Sequence, residues 1–220
     1  MRRIILILLS TLALSCTVQA KTPFEQIDNA VSKHQSYVAF TDKQLSCLEL
    51  SQVLSAYFAS NINSSFIERT FNAHDEDNNG LFDGIDIQYK YDISENKRII
   101  EFINSKENEL ISKVLNMPQR EQVSYIYRYF CRKFKYDEEL HSDIYYLYKY
   151  NKGICCSFSY AFKRLMDKLD IPCRLELNNG RTHQWNSIFI DGKWQKIDIT
   201  DGIRLYETGF PNAEMRAFLK

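Results

Sequence analysis

The order of apolar and polar positions predicts helices first and an antiparallel sheet near the end. Over 42–59, DKQLSCLELSQVLSAYFA, the residues Leu45, Leu48, Leu50, Val53, Leu54, Tyr57 and Phe58 fall mostly at helical spacings. Two short strands are expected at Ser65–Phe71 and Gly84–Tyr91. In the second, Ile85, Ile87, Tyr89 and Tyr91 alternate with polar residues. Residues 95–115 return to a helical period through Ile99, Ile100, Phe102, Ile103, Leu110, Ile111 and Val114. Pro118, read as the first helical residue, opens a further helix to about Phe134. Asp143–Tyr150 reads as a Tyr-rich helical turn or loop.

The pattern sharpens from Gly153. A helix runs to about Asp170 and is broken by Ile171-Pro172. A strand follows at Cys173–Leu177, then a polar loop, Asn178–Arg181. Two further strands, His183–Ile190 and Lys193–Thr200, flank Asp191-Gly192, a strong hairpin signal. The fold class expected is α+β, with a central helix packed on an antiparallel sheet and a mainly helical N-terminal part. The division expected is an N-terminal export segment at 1–20, an extension at 21–115 and a core at 116–220.

Composition adds bounds. The chain has 220 residues, 45% hydrophobic and 25% charged, with zero formal net charge, so nothing in it suggests nucleic-acid binding. Arg2 and Arg3 precede the apolar run Ile4–Leu14, the pattern of a secretory signal peptide, and the run is short for a transmembrane helix. Val18-Gln19-Ala20 offers cleavage before Lys21, the preferred reading. Leu14-Ser15-Cys16 offers instead a lipid anchor at Cys16. Either reading makes the protein exported: periplasmic, secreted or a membrane-anchored lipoprotein. Cleavage after Ala20 keeps Cys47, Cys131, Cys155, Cys156 and Cys173, an odd number that flags a free and reactive thiol. Cys131 and Cys173 are candidates for a disulfide.

The stretch 152–163, KGICCSFSYAFK, holds the candidate chemistry. At helical spacing Cys155, Phe158, Phe162, Leu165 and Leu169 form one apolar stripe, so Cys155 points toward the protein body. Cys156, Tyr160, Lys163 and Asp167 lie on a more polar face, and Cys156 reads as a bystander. Cys155 also sits in the first turn, where unpaired N–H groups and the helix dipole favour a thiolate and could hold an oxyanion. In the hairpin, a two-residue turn pairs Ile190 with Lys193 and brings Trp185 opposite Asp198. His183 and Asp198 then become diagonal neighbours on one face. A bulged turn would break that register. A thiol, an imidazole and a carboxylate so arranged are the parts of nucleophilic acyl transfer. Taken singly, each has a plainer reading: a buried thiol, a surface histidine, an aspartate capping a strand end.

GICCSFSYAFK followed by HQWNSIFIDGKWQKIDIT resembles the transglutaminase-like superfamily, with G-x-C at a helix start, then H-x-W-N, D-G-x-W and D-x-T. The match covers 153–200 well and extends weakly upstream through 119–137. The resemblance implies a papain-like Cys-His-Asp triad carried by Cys155, His183 and Asp198, and it selects Cys155 over Cys156. The sequence departs from the pattern at Asp201, where many relatives have Trp, and at Ser157, where they often have Gly. It also departs at Lys149, in place of a papain-type Gln, which leaves the second oxyanion donor open.

The expected activity is therefore an exported cysteine-dependent acyl-transfer enzyme, a peptidase or amidase acting on peptide, protein or cell-wall peptide substrates. The alternatives are a protein-crosslinking transglutaminase and a non-catalytic binding module. No cofactor and no metal are implied for catalysis. Residues 75–86, DEDNNGLFDGID, resemble an EF-hand loop, but Asp86 stands at the twelfth position and no helices flank it, so a polar hairpin tip at Asn79-Gly80 is the preferred reading. The dense tyrosines of 125–150 read as core packing before a recognition groove, and Trp185 and Trp194 as core residues.

Overall fold

The computed structural model describes residues 21–139, 143–180 and 182–207. The export segment, with Cys16, lies outside them, as do Arg181 and the last thirteen residues. No helix among the described residues is long and apolar enough to cross a membrane.

The first part of the chain packs α1 (Pro23–Ser32) and α2 (Cys47–Ser60) against a small antiparallel sheet. That sheet holds β1 (Tyr37–Ala39), β2 (Ala73–His74) and β3 (Gly84–Asp86), in the order β1-β3-β2. Both helices begin with a capping box: Thr22 with Glu25, and Ser46 with Glu49. Ile27, Leu50, Tyr57, Ile67 and Ile85 centre this first core. α1 and β1 escape the sequence reading, and the strand expected at Ser65–Phe71 is not one. A 3₁₀ turn, Ile62–Phe66, occupies its start, and only Ile67 makes a bridge, to Tyr89. Residues 75–83 form the tip between β2 and β3, with Asn78 and Gly80 at positive φ. Their carboxylates are capped by backbone N–H groups, Gly80 donating to Asp75 and Glu76 to Asp83.

The second part is built on α6 (Cys155–Lys168). The sheet β6 (Cys173–Leu177), β7 (Gln184–Ile190) and β8 (Lys193–Ile197) is antiparallel in chain order and packs on it. α3 (Ile93–Val114), α4 (Gln119–Lys133) and α5 (Ile144–Tyr150) surround the helix. Phe130, Phe158, Phe162, Leu165 and Ile188 are fully buried in this core. Each buried phenylalanine contributes about 2–3 kcal/mol of hydrophobic stabilisation. Glu107 of α3 is 0% exposed; Arg164 of α6 clasps it with two 2.7 Å bonds, and Lys168 lies 2.9 Å away.

The α+β architecture with a central helix on an antiparallel sheet is therefore observed, with local corrections. Pro118 is the residue before α4, with extended backbone, and not its first helical residue. A parallel pair, β4 (Lys135–Tyr136) with β5 (Lys152–Gly153), was not expected. β8 stops at Ile197, and α7 (Ile199–Glu207) follows where the period-two pattern of Asp-Ile-Thr suggests more strand. Cys131 and Cys173 are separate buried thiols. Trp194 is 43% exposed and Trp185 is half-buried. Residues 184, 186, 188 and 190 turn toward α6, which leaves both tryptophans on the opposite face.

Candidate active site

Three backbone devices bring the predicted residues together. The first sets the start of α6. β5 pairs Gly153 with Tyr136, and Ser157 in the first turn accepts the Ile154 N–H at 2.9 Å while donating back to the Ile154 carbonyl. A Cβ on Gly153 would collide with that Ser157 hydroxyl, which is why the residue two before Cys155 has no side chain. Ser157, a departure from the family pattern, thus closes the helix start behind the cysteine. The second device ties α6 to β7. Ser159 donates to the Gln184 carbonyl at 3.1 Å, and Asn186 donates to the Ser159 carbonyl at 3.0 Å. These bonds are buried, where each is worth more than on the surface.

The third device is the β7–β8 hairpin. Asp191 and Gly192 take φ of 52° and 74°, the two-residue turn, and Ile190 pairs with Lys193. The ladder ends at Asn186–Ile197, one step before Trp185 would face Asp198. Asp198 then turns inward. It caps α7, its Oδ1 accepting the Asp201 N–H at 3.2 Å. Its Oδ2 lies 2.9 Å from His183 Nε2 and 3.3 Å from Lys196 Nζ. Tyr127 donates to the Asp198 carbonyl at 3.4 Å. The aspartate expected at a strand end is therefore a helix cap, and its second oxygen is free to orient the imidazole.

The electrostatics favour an ion pair. The Cys155 thiol is pulled down to about 5, first by a hydrogen bond from the Cys156 S–H, against burial, and further by the Gln184 backbone N–H and by His183. Burial acts to lower the pKa of His183, but its bonds to Asp198 and to Cys155 outweigh that and raise it above the ordinary histidine value. A low thiol beside a high imidazole gives thiolate and imidazolium near neutral pH. Cys156, expected as a bystander on the more polar face, interacts with Cys155. It is half-buried, and its own thiol is pushed far up by the bond it donates to Cys155. First-turn neighbours one residue apart can both reach the same space, so the face argument separates them less sharply than it would mid-helix.

Sequence reading missed several neighbours. Lys196 joins Asp198 and also lies over the ring of Trp185, 4.8 Å from its centre. Trp185 in turn lies 5.8 Å from the His183 ring. Burial and the Asp198 charge hold the Asp201 carboxyl above the usual range. The position of Asp201 three residues after Asp198 was the one available signal for it, a cap and N3 spacing that only a helix would make meaningful. The ligand atoms of His183, Asp198 and Asp201 all lie within 4.8 Å of one another, as do those of Asp75, Asp77 and Asp83.

Comparisons with known proteins follow the same lines. The transglutaminase-like superfamily profile matches residues 108–199. No curated protein sequence matches. Among solved structures, the chain is similar to a TGase at 16% identity and TM-score 0.41, covering 74% of this chain and 50% of that one. It is similar to a Cytophaga hutchinsonii protein provisionally described as a cysteine protease, at 15% identity and TM-score 0.38, covering 64% of each. It is also similar to the periplasmic domain of TgpA from Pseudomonas aeruginosa bound to ethylmercury, at 13% identity and TM-score 0.38, covering 64% and 70%. The chain thus spans half the length of the first of these and under two thirds of the second. The G-x-C helix start, the H-x-W-N strand and the D-G-x-W hairpin all lie within residues 108–199, and this part of the chain is similar to the transglutaminase-like superfamily.

Proposed function

We propose that the protein is an exported cysteine-dependent acyl-transfer enzyme that hydrolyses amide bonds in peptide, protein or cell-wall peptide substrates, with Cys155, His183 and Asp198 as its catalytic residues. The observation that carries this reading is the Cys155–His183–Asp198 chain of hydrogen bonds, with its 2.9 Å His183–Asp198 contact, at the first turn of α6.

The Cys155 thiolate bonds to the carbonyl carbon while the carbonyl oxygen takes up negative charge. The N–H groups of the first turn of α6, which have no intrahelical acceptors, supply its hydrogen bonds. The C–N bond then breaks, and the leaving amine takes a proton from the His183 imidazolium. Neutral His183 next accepts a proton from water, whose oxygen displaces the Cys155 sulfur from the thioester. The acid product leaves, and thiolate and imidazolium are restored. Asp198 holds the ring through Nε2, which leaves Nδ1 for the sulfur and the substrate.

The test compares mature protein with its Cys155→Ala variant on a mixed pool of peptides and cell-wall peptides containing a primary amine, read by mass spectrometry. Cleavage that requires Cys155 is the expected result. Amine adducts in place of cleavage would make the protein a transglutaminase, and identical pools would leave a binding module.

A further inference from the structure

The Asp198 oxygen that holds His183 is shared. Oδ2 lies 2.9 Å from His183 Nε2 and 3.3 Å from Lys196 Nζ, so one carboxylate oxygen meets both an imidazole and an ammonium. The strand ladder puts the ammonium there. Lys196 of β8 pairs with Ser187 of β7, which makes it the diagonal neighbour of Trp185 on the outer face of the sheet. Its Nζ lies over the indole, 4.8 Å from the ring centre, and the same indole lies 5.8 Å from the His183 ring at an interplanar angle of 31°. A cation seated on an aromatic face is held in place. The His183 backbone is fixed by Asn178: its N–H donates to Asn178 Oδ1 at 3.1 Å, and its carbonyl accepts the Asn178 N–H at 3.1 Å. Among the described residues, the titratable groups around the ring are Cys155 from α6, Lys196 from β8, and Asp198 and Asp201 from the start of α7. Asp198 and Cys155 act to keep a proton on His183, and Lys196 brings the opposing charge.

We propose that Lys196 is a positioning residue that shares Asp198 Oδ2 with His183, so that the carboxylate orients the imidazolium without holding its proton too tightly for transfer to the leaving amine. This rests on the enzymatic reading above and adds to it a residue that acts through Asp198. The physical basis is charge. A carboxylate shared with an ammonium offers less negative potential to the imidazolium, and the two cations repel, so the protonated ring is a stronger acid than Asp198 alone would leave it. A general acid works best when its pKa lies near the working pH. The Lys196 side chain is 55% exposed, so its influence is modest and sensitive to salt.

The test needs no known substrate. The Cε1 proton of His183 is followed by NMR against pH, its resonance assigned by its loss in His183→Gln. Lys196→Met keeps an apolar chain over Trp185 and removes the charge. The expected result is that Lys196→Met raises the His183 midpoint by about half a pH unit or more at low ionic strength, that Lys196→Glu raises it further, and that salt narrows the difference. Lys196→Arg should stay close to wild type, which separates charge from packing. Equal midpoints in wild type, Lys196→Met and Lys196→Glu would overturn the proposal. So would a lower midpoint in Lys196→Met, the sign expected if the lysine only props Asp198 against the ring. Wild-type Cys155 reacting with iodoacetamide no faster than a simple thiol would overturn the enzymatic reading first, and this inference with it. Once a cleaved amide is in hand, the alkaline limb of kcat/KM in Lys196→Met should move up with the NMR midpoint; a limb that stays in place while the midpoint moves would overturn the role in proton transfer.

Discussion

Asp198 holds His183 with one carboxylate oxygen, at 2.9 Å, and the start of α7 with the other. The two roles can be separated. Asn caps a helix about as well as Asp but carries no charge. Asp198→Asn should therefore keep stability within about 1 kcal/mol of wild type while lowering amide cleavage about 10²–10⁴-fold. Asp198→Ala should lose the cap as well, at a further cost of about 1 kcal/mol. Paired urea melts and kinetics check this; a kinetically normal Asp198→Asn protein would remove Asp198 from the triad.

The pH profile follows from the two shifts. Cys155 is lowered to about 5, so kcat/KM should rise with pH through that value as the thiol ionises. His183 is raised, so activity should persist past the ordinary histidine range and fall only as the imidazolium loses its proton above it. Asp198→Asn removes the group that holds the proton on His183 and should move the alkaline limb down. Iodoacetamide labelling across pH reads the acid limb directly; a limb near the ordinary thiol value of about 8.5 would contradict the ion pair.

Cys156→Ala should shift the acid limb upward without abolishing cleavage, since the strongest influence lowering Cys155 is the Cys156 S–H. Cys156→Ser restores a donor and should restore most of the shift. If neither substitution moves the limb, Cys156 is a packing residue only.

The Glu107 carboxylate is buried between Arg164 and Lys168 and joins α3 to α6. Removing it strands two cations, so Glu107→Ala should cost about 3–5 kcal/mol in denaturant unfolding. A loss below about 1 kcal/mol would show that water reaches the pair.

Much of this site was readable from the chain. The stripe through Cys155, Phe158 and Phe162 is a local property of helical spacing, and the Asp191-Gly192 turn sets a register that the strands keep. Both depend on neighbours a few residues apart, which is where sequence patterns are informative. Other features depend on contacts between distant segments. The pattern Asp-Ile-Thr continues a strand as readily as it starts a helix; the difference lies in Gly202, Ile199 and Ile203 packing toward α4, and so only the fold makes Asp198 a cap. The same holds for the tryptophans that the sheet turns outward. The sequence by itself singled out Cys155, His183 and Asp198 as candidates and predicted the helix and the hairpin beside which they lie. The tertiary structure decided their company: Cys156 beside Cys155, and Lys196 and Asp201 around Asp198. Proximity between segments far apart in sequence is set by the packing of whole elements, and no local spacing encodes it.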